Sequence, residues 1–185
     1  MKNKIALFSR AFYFLRHGET ELNARQLVAG SLDTELTALG QEQALHAAAL
    51  LADEPITAVY ASPLKRARDT ATPIAGMLRL PVVVIPELAE RNWGALEGQP
   101  RASRMRGMTP EGAESPQAFT KRVLAGLSRV EGEVPLIVGH SGIFRVLCRT
   151  VEIVETEAPV MNAVPVRFQP VPEGGWKLEP ARRAR

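Results

Sequence analysis

The stretch AFYFLRHGETELN, residues 11–23, joins an apolar run to a group of hydrogen-bonding side chains. Its first half has the aromatic and aliphatic content that is typical of a buried β-strand. The run stops at Arg16 and His17, followed by Gly18, a residue that lets backbone approach a ligand closely. In open α/β sheets, ligands bind beyond the carboxyl ends of the strands. The stretch therefore predicts a strand that leads directly into a binding site.

Short apolar runs alternate with longer segments along the rest of the chain. Further strand candidates are TAVYAS, PVVVIP, PLIVGH, AVPVRFQ and GWKLEP. The segments 37–53, 63–78, 115–130 and 141–151 repeat their apolar residues at helical spacing. This alternation predicts an α/β fold with a mostly parallel sheet covered by helices, ending in a hairpin around PVPEGGW.

Helix starts are predicted from capping chemistry. Serine and threonine side chains satisfy free N–H groups at helix starts, and proline fits the first helical position. The predicted N-caps are Thr37, Ser62, Ser115 and Ser141, and the predicted first helical prolines are Pro63 and Pro116.

The composition is that of an ordinary globular protein. With 185 residues, 45% of them apolar, the chain fits one domain over residues 1–185, in which the basic end ARRAR, 181–185, is a frayed tail. A single cysteine, Cys148, excludes an internal disulfide and fits a reducing compartment. No run of about 20 apolar residues exists, so we expect a soluble, cytoplasmic protein that does not enter membranes.

Charge indicates anionic partners. The formal net charge is +3 and the sequence pI is about 9.3, which makes small anions or nucleic acid reasonable ligands. His17 and His140 both follow predicted strands, and the helix that begins near Ser141 offers backbone N–H groups to an anion. Basic residues in ASPLKRARDTA add to this region; we expect Arg66 to face the site and Lys65 and Arg68 to be solvated.

Four separated stretches resemble the histidine phosphatase superfamily, which contains the cofactor-dependent phosphoglycerate mutases and many small phosphatases. These stretches are LRHGETELN, ASPLKRARDTA, ELAERNWGALEG and VGHSG, and they occur in the family's order between about residues 11 and 145. The resemblance implies a three-layer α/β/α sandwich with a mostly parallel central sheet. It also implies a phosphohistidine intermediate formed without a metal ion or another cofactor.

Site residues follow from the same resemblance. The implied catalytic residues are His17 as nucleophile, Glu90 as proton donor to the leaving group, and His140. The implied phosphate-binding residues are Arg16, Asn23, Arg66 and Ser141. Arginine suits this task because its planar, permanently charged fork matches phosphoryl oxygens.

Other polar residues carry no such implication. We expect Glu87 and Glu97 to be solvated, His46 to be an ordinary helix residue, and Trp93 to shape the pocket wall. The chain departs from the family pattern in EGAES, where Ala113 replaces a glycine. Alanine is unfavourable there if the loop needs positive φ, so the sequence leaves the geometry of the loop 99–114 open.

The sequence favours three other functions less than a phosphatase. LIVGHSGI approaches the nucleophile elbow of serine hydrolases, but Ile143 replaces the last glycine and no histidine follows Ser141. Arginines in PRASRMRG and ARRAR suggest nucleic-acid binding from charge alone, yet they lack interleaved aromatics. Three scattered histidines offer no metal-ligand spacing. We therefore predict no nucleic-acid partner.

The predicted function is hydrolysis of a small phosphorylated metabolite, with a cofactor-dependent phosphoglycerate mutase as the alternative. A mutase must shield its phosphohistidine from water. Only about 25 residues separate Glu90 from the helix at Ser115, and ARRAR alone follows the last strand, which favours the phosphatase. The sequence leaves the substrate and the oligomeric state open, including a homodimer.

Overall fold

A single sheet organises the computed structural model, which describes residues 5–105, 109–153 and 160–180. Its strands are β1 (Phe12–Arg16), β2 (Ala58–Ala61), β3 (Val82–Val84), β4 (Pro135–Gly139), β5 (Val166–Pro170) and β6 (Trp176–Pro180). The helices are α1 (Glu21–Ala24), α2 (Ala38–Leu51), α3 (Lys65–Leu78), α4 (Pro116–Leu127) and α5 (Ser141–Thr150). Each predicted strand and helix is present; the predicted tail 181–185 lies outside the described residues.

The strand order is β3-β2-β4-β1-β5-β6. The first four strands run parallel, whereas β5 is antiparallel to both β1 and β6. Gly174 and Gly175, both at positive φ, form the turn between the last two strands. The mostly parallel sheet and the terminal hairpin are therefore confirmed.

Helices cover both faces of the sheet, because side chains along β1 alternate between two cores. Phe12 and Phe14 lie in one core with Val123 of α4 and residues of α5. Tyr13 and Leu15 lie in the other, with residues of α2 and α3. All four β1 side chains are fully buried, and each such apolar burial contributes about 1.5–3 kcal/mol. The three-layer α/β/α arrangement is confirmed.

Two of the predicted N-caps are confirmed. Thr37 Oγ1 accepts the backbone N–H of Gly40 at 3.0 Å, and Ser115 Oγ accepts that of Ala118 at 3.1 Å. Pro116 occupies the first turn of α4, as predicted.

The other predicted helix starts are wrong. Leu64 is the N-cap of α3, so Pro63 precedes the helix, and Ser62 instead hydrogen-bonds a histidine across the sheet edge. His140 is the N-cap of α5, and Ser141 is already helical. Ser62 has the residue type of a cap, but its hydroxyl contacts His140 at the ends of the strands.

Strand register builds that pocket. Arg16 pairs with Gly139 across β1 and β4, so His17 and His140 follow side by side. The His17 backbone N–H donates to the Gly139 carbonyl at 3.0 Å. Ala61 of β2 pairs with Val138 on the other side of β4. Three neighbouring strands therefore deliver their polar residues to one edge of the sheet.

Candidate active site

His17 is buried and its ring has a defined tautomer. Its side chain is 4% exposed, and its Nδ1 lies 2.7 Å from the Gly18 carbonyl oxygen. A carbonyl oxygen only accepts hydrogen bonds, so Nδ1 carries the proton. Nε2 consequently holds the free lone pair, as a nucleophilic nitrogen requires.

The surroundings also keep His17 neutral. Burial lowers the pKa of His17 well below its usual 6.5, and the positive charges of Arg66 and Arg16 lower it further. The hydrogen bond to the Gly18 carbonyl opposes these effects. At neutral pH the imidazole is therefore unprotonated at Nε2 and able to attack an electrophile.

His140 faces His17 across the pocket. The two ring centroids are 5.2 Å apart and the ring planes are inclined by 58°. His140 Nε2 lies 2.6 Å from Ser62 Oγ, whereas its buried Nδ1 has no hydrogen-bond partner among the described residues. Burial, with Arg66 and His17, lowers the pKa of His140 well below 6.5. One of its ring nitrogens is thus available to a ligand.

Arg66 places a guanidinium group in the interior. It is 1% exposed, and its Nη1 and Nη2 donate to the carbonyls of Leu32 and Gly30 at 2.6 and 2.7 Å. Burial lowers its pKa, while Glu90 is the carboxylate that most opposes this. These carbonyls fix the orientation of the fork but do not neutralise it. A buried charge held in this way is favourable when an anion binds beside it.

Arg16 adds a second cation at the end of β1. Its Nη1 donates to the carbonyl of Val160 at 2.9 Å. Burial lowers its pKa to about 10, and the charges of Arg101, Arg145 and Arg66 contribute. Glu90 acts in the opposite direction. The pocket therefore combines neutral histidines with crowded positive charge, which suits a phosphate dianion.

Asn23 lies in the same pocket wall. It is 8% exposed, and its Oδ1 accepts a hydrogen bond from Asn162 Nδ2 at 3.2 Å. The same amide nitrogen of Asn162 donates to the His17 carbonyl at 2.8 Å. Because its oxygen is engaged, Asn23 presents amide N–H groups, the polarity that phosphate binding requires.

Glu90 is held at the positive end of α5. Its Oε2 accepts the Gly142 backbone N–H at 3.0 Å, and its Oε1 accepts that of Arg91 at 2.8 Å. A Cβ at position 142 would clash with Glu90 Oε1, so a larger residue there would displace this carboxylate. Glu90 and the helix that carries Ser141 thus meet beside the two histidines. Contacts and charge interactions thus link most of the predicted site residues, namely Arg16, His17, Asn23, Arg66, Glu90 and His140, and Ser141 lies beside His140 at the start of α5. Their roles in the reaction stay a prediction.

The match to a family model agrees with this geometry: residues 12–165 match the histidine phosphatase superfamily, branch 1. The chain belongs to the histidine phosphatase superfamily.

The relatives of this chain include proteins named as phosphatases and a protein named as a phosphoglycerate mutase. The chain is 32% identical to the metal-independent phosphoserine phosphatase of Arabidopsis thaliana, over 80% of this chain and 71% of that protein. It is 35% identical to the probable phosphoglycerate mutase GpmB of Erwinia tasmaniensis, over 75% and 73%. The crystal structure of the alpha-ribazole phosphatase from Shigella flexneri superposes with a TM-score of 0.80 at 28% identity, covering 94% of this chain and 97% of that one.

The prediction that Glu97 is simply solvated is wrong. This carboxylate is not merely solvated, because its Oε1 accepts the backbone N–H of Ser31 at 2.7 Å and that of Trp93 at 2.9 Å. It ties the loop that positions Arg66 to the segment after Glu90. Because the contact with Ser31 spans 66 positions, no local pattern reveals it.

Other peripheral residues agree with expectation. His46 and Arg68 are exposed, and Lys65 pairs with Asp69 at 2.6 Å on the surface. Glu87 pairs with Arg129 at a partly exposed position.

The alanine of EGAES fits the loop without strain. The positive φ falls on Gly112, at 70°, and Ala113 is not among the residues with positive φ. The Ala113 backbone N–H donates to the Pro110 carbonyl at 3.0 Å. Position 113 therefore does not need a glycine, which answers the question that the sequence left open there; residues 106–108 lie outside the described residues.

Sequence reasoning missed three residues that position the site. Ser62 contacts His140, and Asn162 holds both Asn23 and the His17 carbonyl. Thr70 Oγ1 accepts the Gly18 backbone N–H at 2.9 Å and donates to the Arg66 carbonyl at 2.7 Å. Only Ser62, directly after a strand, had a local signal.

The part of the chain that the structure describes contains neither a cluster of metal-binding side chains nor a membrane-spanning helix. Across 5–105, 109–153 and 160–180, no three His, Cys, Asp or Glu side chains are grouped so that they could hold a metal ion. Within the same ranges, no helix is long and apolar enough to cross a membrane.

Proposed function

We propose that this histidine phosphatase hydrolyses phosphomonoesters of small metabolites through a phosphorylated His17. The observation that carries the proposal is the neutral His17, whose Nε2 lone pair is free while Arg16 and Arg66 stand nearby. Phosphoryl transfer needs mainly positioning and charge stabilisation. This pocket supplies both.

In the first step, His17 Nε2 attacks phosphorus and the bond from phosphorus to the leaving oxygen breaks. Glu90 donates a proton to that oxygen, so the alcohol leaves uncharged. The arginines, the Asn23 amide and the start of α5 at Ser141 stabilise the phosphoryl oxygens. The product is a phosphoimidazolium, whose Nδ1 proton is still hydrogen-bonded to the Gly18 carbonyl.

In the second step, water attacks the same phosphorus atom. The Glu90 carboxylate takes a proton from the water, the bond between phosphorus and Nε2 breaks, and His17 returns to its neutral form. Inorganic phosphate leaves. Glu90 thus acts first as acid and then as base, and it regains its starting state after each turnover.

Phosphoglycerate mutase activity is the alternative, favoured by the similarity to GpmB. A mutase needs a cover that keeps water from the phosphohistidine while its substrate reorients. Hydrolysis is favoured because the segment between Glu90 and α4 is short. The two activities separate in one assay: the enzyme receives 3-phosphoglycerate with catalytic 2,3-bisphosphoglycerate, and isomerisation is compared with phosphate release from a panel of phosphomonoesters.

The intermediate is tested by rapid acid and alkaline quenching of the enzyme during turnover of a ³²P-labelled phosphomonoester. Phosphate on His17, stable in alkali and labile in acid, is expected; His17→Ala should show neither label nor turnover. His46→Ala is the matched control, because His46 is exposed on α2. Label on Ser141, or activity lost to a chelator and restored by zinc or magnesium, would contradict the mechanism.

A further inference from the structure

Three arginines beside the phosphate pocket have no part in the mechanism above. Arg101 opens the 3₁₀ turn Arg101–Ser103, and Arg104 follows that turn. Arg145 lies on α5, four residues after Ser141 and therefore on the same side of the helix. Long helical side chains lean toward the helix start, so Arg145 extends toward the turn that contacts Glu90.

Aromatic and backbone contacts hold two of these arginines. The guanidinium carbon of Arg104 lies 3.8 Å from the centre of the Trp93 ring, and that of Arg91 lies 4.2 Å from it. Arg101 Nε donates to the Leu27 carbonyl at 3.3 Å. Stacking on an aromatic face orients a guanidinium without neutralising it. Trp93 therefore orients the guanidinium groups of Arg91 and Arg104.

The charges of this group act on one another and on the phosphate site. Burial lowers the pKa of Arg104, and Arg145 lowers it further. After burial, Arg145 is also the group that lowers the pKa of Arg101. Both Arg101 and Arg145 lower the pKa of Arg16. These cations therefore lie within electrostatic range of the pocket.

Carboxylates do not compensate this charge in the part of the chain that the structure describes. No ion pair within 4.0 Å there involves Arg101, Arg104 or Arg145. Glu90 is the nearby carboxylate that raises the pKa of Arg104, yet both of its oxygens accept backbone N–H groups. Uncompensated cations repel one another, so the arrangement favours an added anion.

One phosphoryl group does not account for the whole cluster. Its oxygens are served by Arg16, Arg66 and the polar residues around His17. Arg104 is instead associated with Trp93 and with Glu90, the residue that protonates the leaving group in the proposed mechanism. The cluster is therefore placed to contact the remainder of the substrate.

We infer that Arg101, Arg104 and Arg145 form a subsite for a second anionic group on the substrate's leaving-group side. The inference rests on the proposed phosphatase function and narrows its substrates to phosphomonoesters that also carry a carboxylate or a second phosphate. Guanidinium forks bind both groups through paired hydrogen bonds.

Binding of unreactive phosphonates tests the subsite without requiring turnover. Isothermal titration compares propylphosphonate, which lacks a second anion, with 3-phosphonopropionate and propane-1,3-diphosphonate, which carry a carboxylate and a second phosphonate. At least one of the two probes that carry a second anionic group should bind about tenfold more tightly than propylphosphonate, as expected for charge-assisted hydrogen bonds. The stronger of the two identifies the preferred group.

Variants assign that preference to the arginines. Arg104→Gln and Arg145→Gln should reduce the affinity ratio to below about threefold, whereas Arg68→Gln, an exposed arginine of α3, should retain it. An affinity ratio near one in the wild type would overturn the inference. Absence of measurable binding of all three probes would overturn it as well. So would a ratio that both variants retain.

Phosphate release from a substrate panel separates this inference from the proposed function. A wild-type protein that shows the affinity ratio but hydrolyses no phosphomonoester would contradict the phosphatase function and support the subsite. A protein that hydrolyses phosphomonoesters but shows no ratio would support the phosphatase function and overturn the subsite.

Discussion

Replacing Glu90 by glutamine should make the enzyme sensitive to the acidity of its leaving group. An alkyl phosphate leaves as a strongly basic alkoxide unless it receives a proton, whereas p-nitrophenolate leaves without one. If Glu90 supplies the proton, Glu90→Gln should reduce kcat for alkyl phosphates by about 10²- to 10⁴-fold. This loss corresponds to about 2.7–5.4 kcal/mol in the barrier.

The mechanism also predicts the effect of the substitution on substrate binding. A general acid is protonated, and therefore uncharged, when it meets the substrate, and the glutamine amide is uncharged too. Glu90→Gln should therefore leave KM for both kinds of substrate little changed, while kcat falls mainly for the alkyl phosphate.

Glutamine carries a structural cost that must be separated from the chemical one. Glu90 accepts two backbone N–H groups, from Arg91 and Gly142, and a glutamine amide accepts through only one oxygen. Loss of one such hydrogen bond costs about 0.5–1.5 kcal/mol, less than the expected loss of acid catalysis. Steady-state kinetics with p-nitrophenyl phosphate and an alkyl phosphate measure the difference. Equal losses of kcat on both substrates would refute the assignment of Glu90 as general acid.

Three further perturbations test other parts of the site. His17 and His140 have lowered pKa values in the folded protein, so the unfolded chain binds more protons below pH 6.5, and the free energy of unfolding should fall by up to about 2.7 kcal/mol per pH unit as pH decreases. Urea unfolding from pH 7 to 5.5 measures this dependence, and His17→Asn should halve its slope. A flat profile would contradict the prediction. Gly142→Ala should displace Glu90 and so reproduce the selective loss of kcat on alkyl phosphates. An equal loss of kcat on both substrates would contradict this prediction. Arg66→Lys keeps the charge but loses the fork, so kcat/KM should fall about 10²-fold or more on both substrates, and near-normal activity would exclude a role in binding phosphoryl oxygens.

Sequence patterns predict the scaffold well because burial dominates it. The alternation along β1 sends Phe12 and Phe14 to one core and Tyr13 and Leu15 to the other, so the run is apolar throughout, as expected for a strand covered on both faces. Polar residues directly after β1 and β4 are then brought together by parallel register. Local sequence and simple topology suffice to place His17 beside His140.

Contacts between distant segments are not predictable in this way. Ser62 has the residue type of an N-cap, and only the proximity of β2 to β4 shows that its hydroxyl is used by His140. Asn162 reaches residues about 140 positions earlier in the chain, and Glu97 joins two loops. Side chains of these types are usually solvated, so composition gives no reason to single them out.

The arginines of the pocket have two effects that depend on each other. Their charge attracts the phosphate dianion, and the same charge, together with burial, keeps His17 unprotonated before the substrate arrives. A bound dianion reverses that second effect by favouring a protonated imidazole. The Gly18 carbonyl accepts the Nδ1 proton and so leaves the lone pair on Nε2, the nitrogen that attacks in the proposed mechanism. Orientation by the backbone thus selects the attacking nitrogen, and the arginines help to keep it unprotonated until the substrate binds.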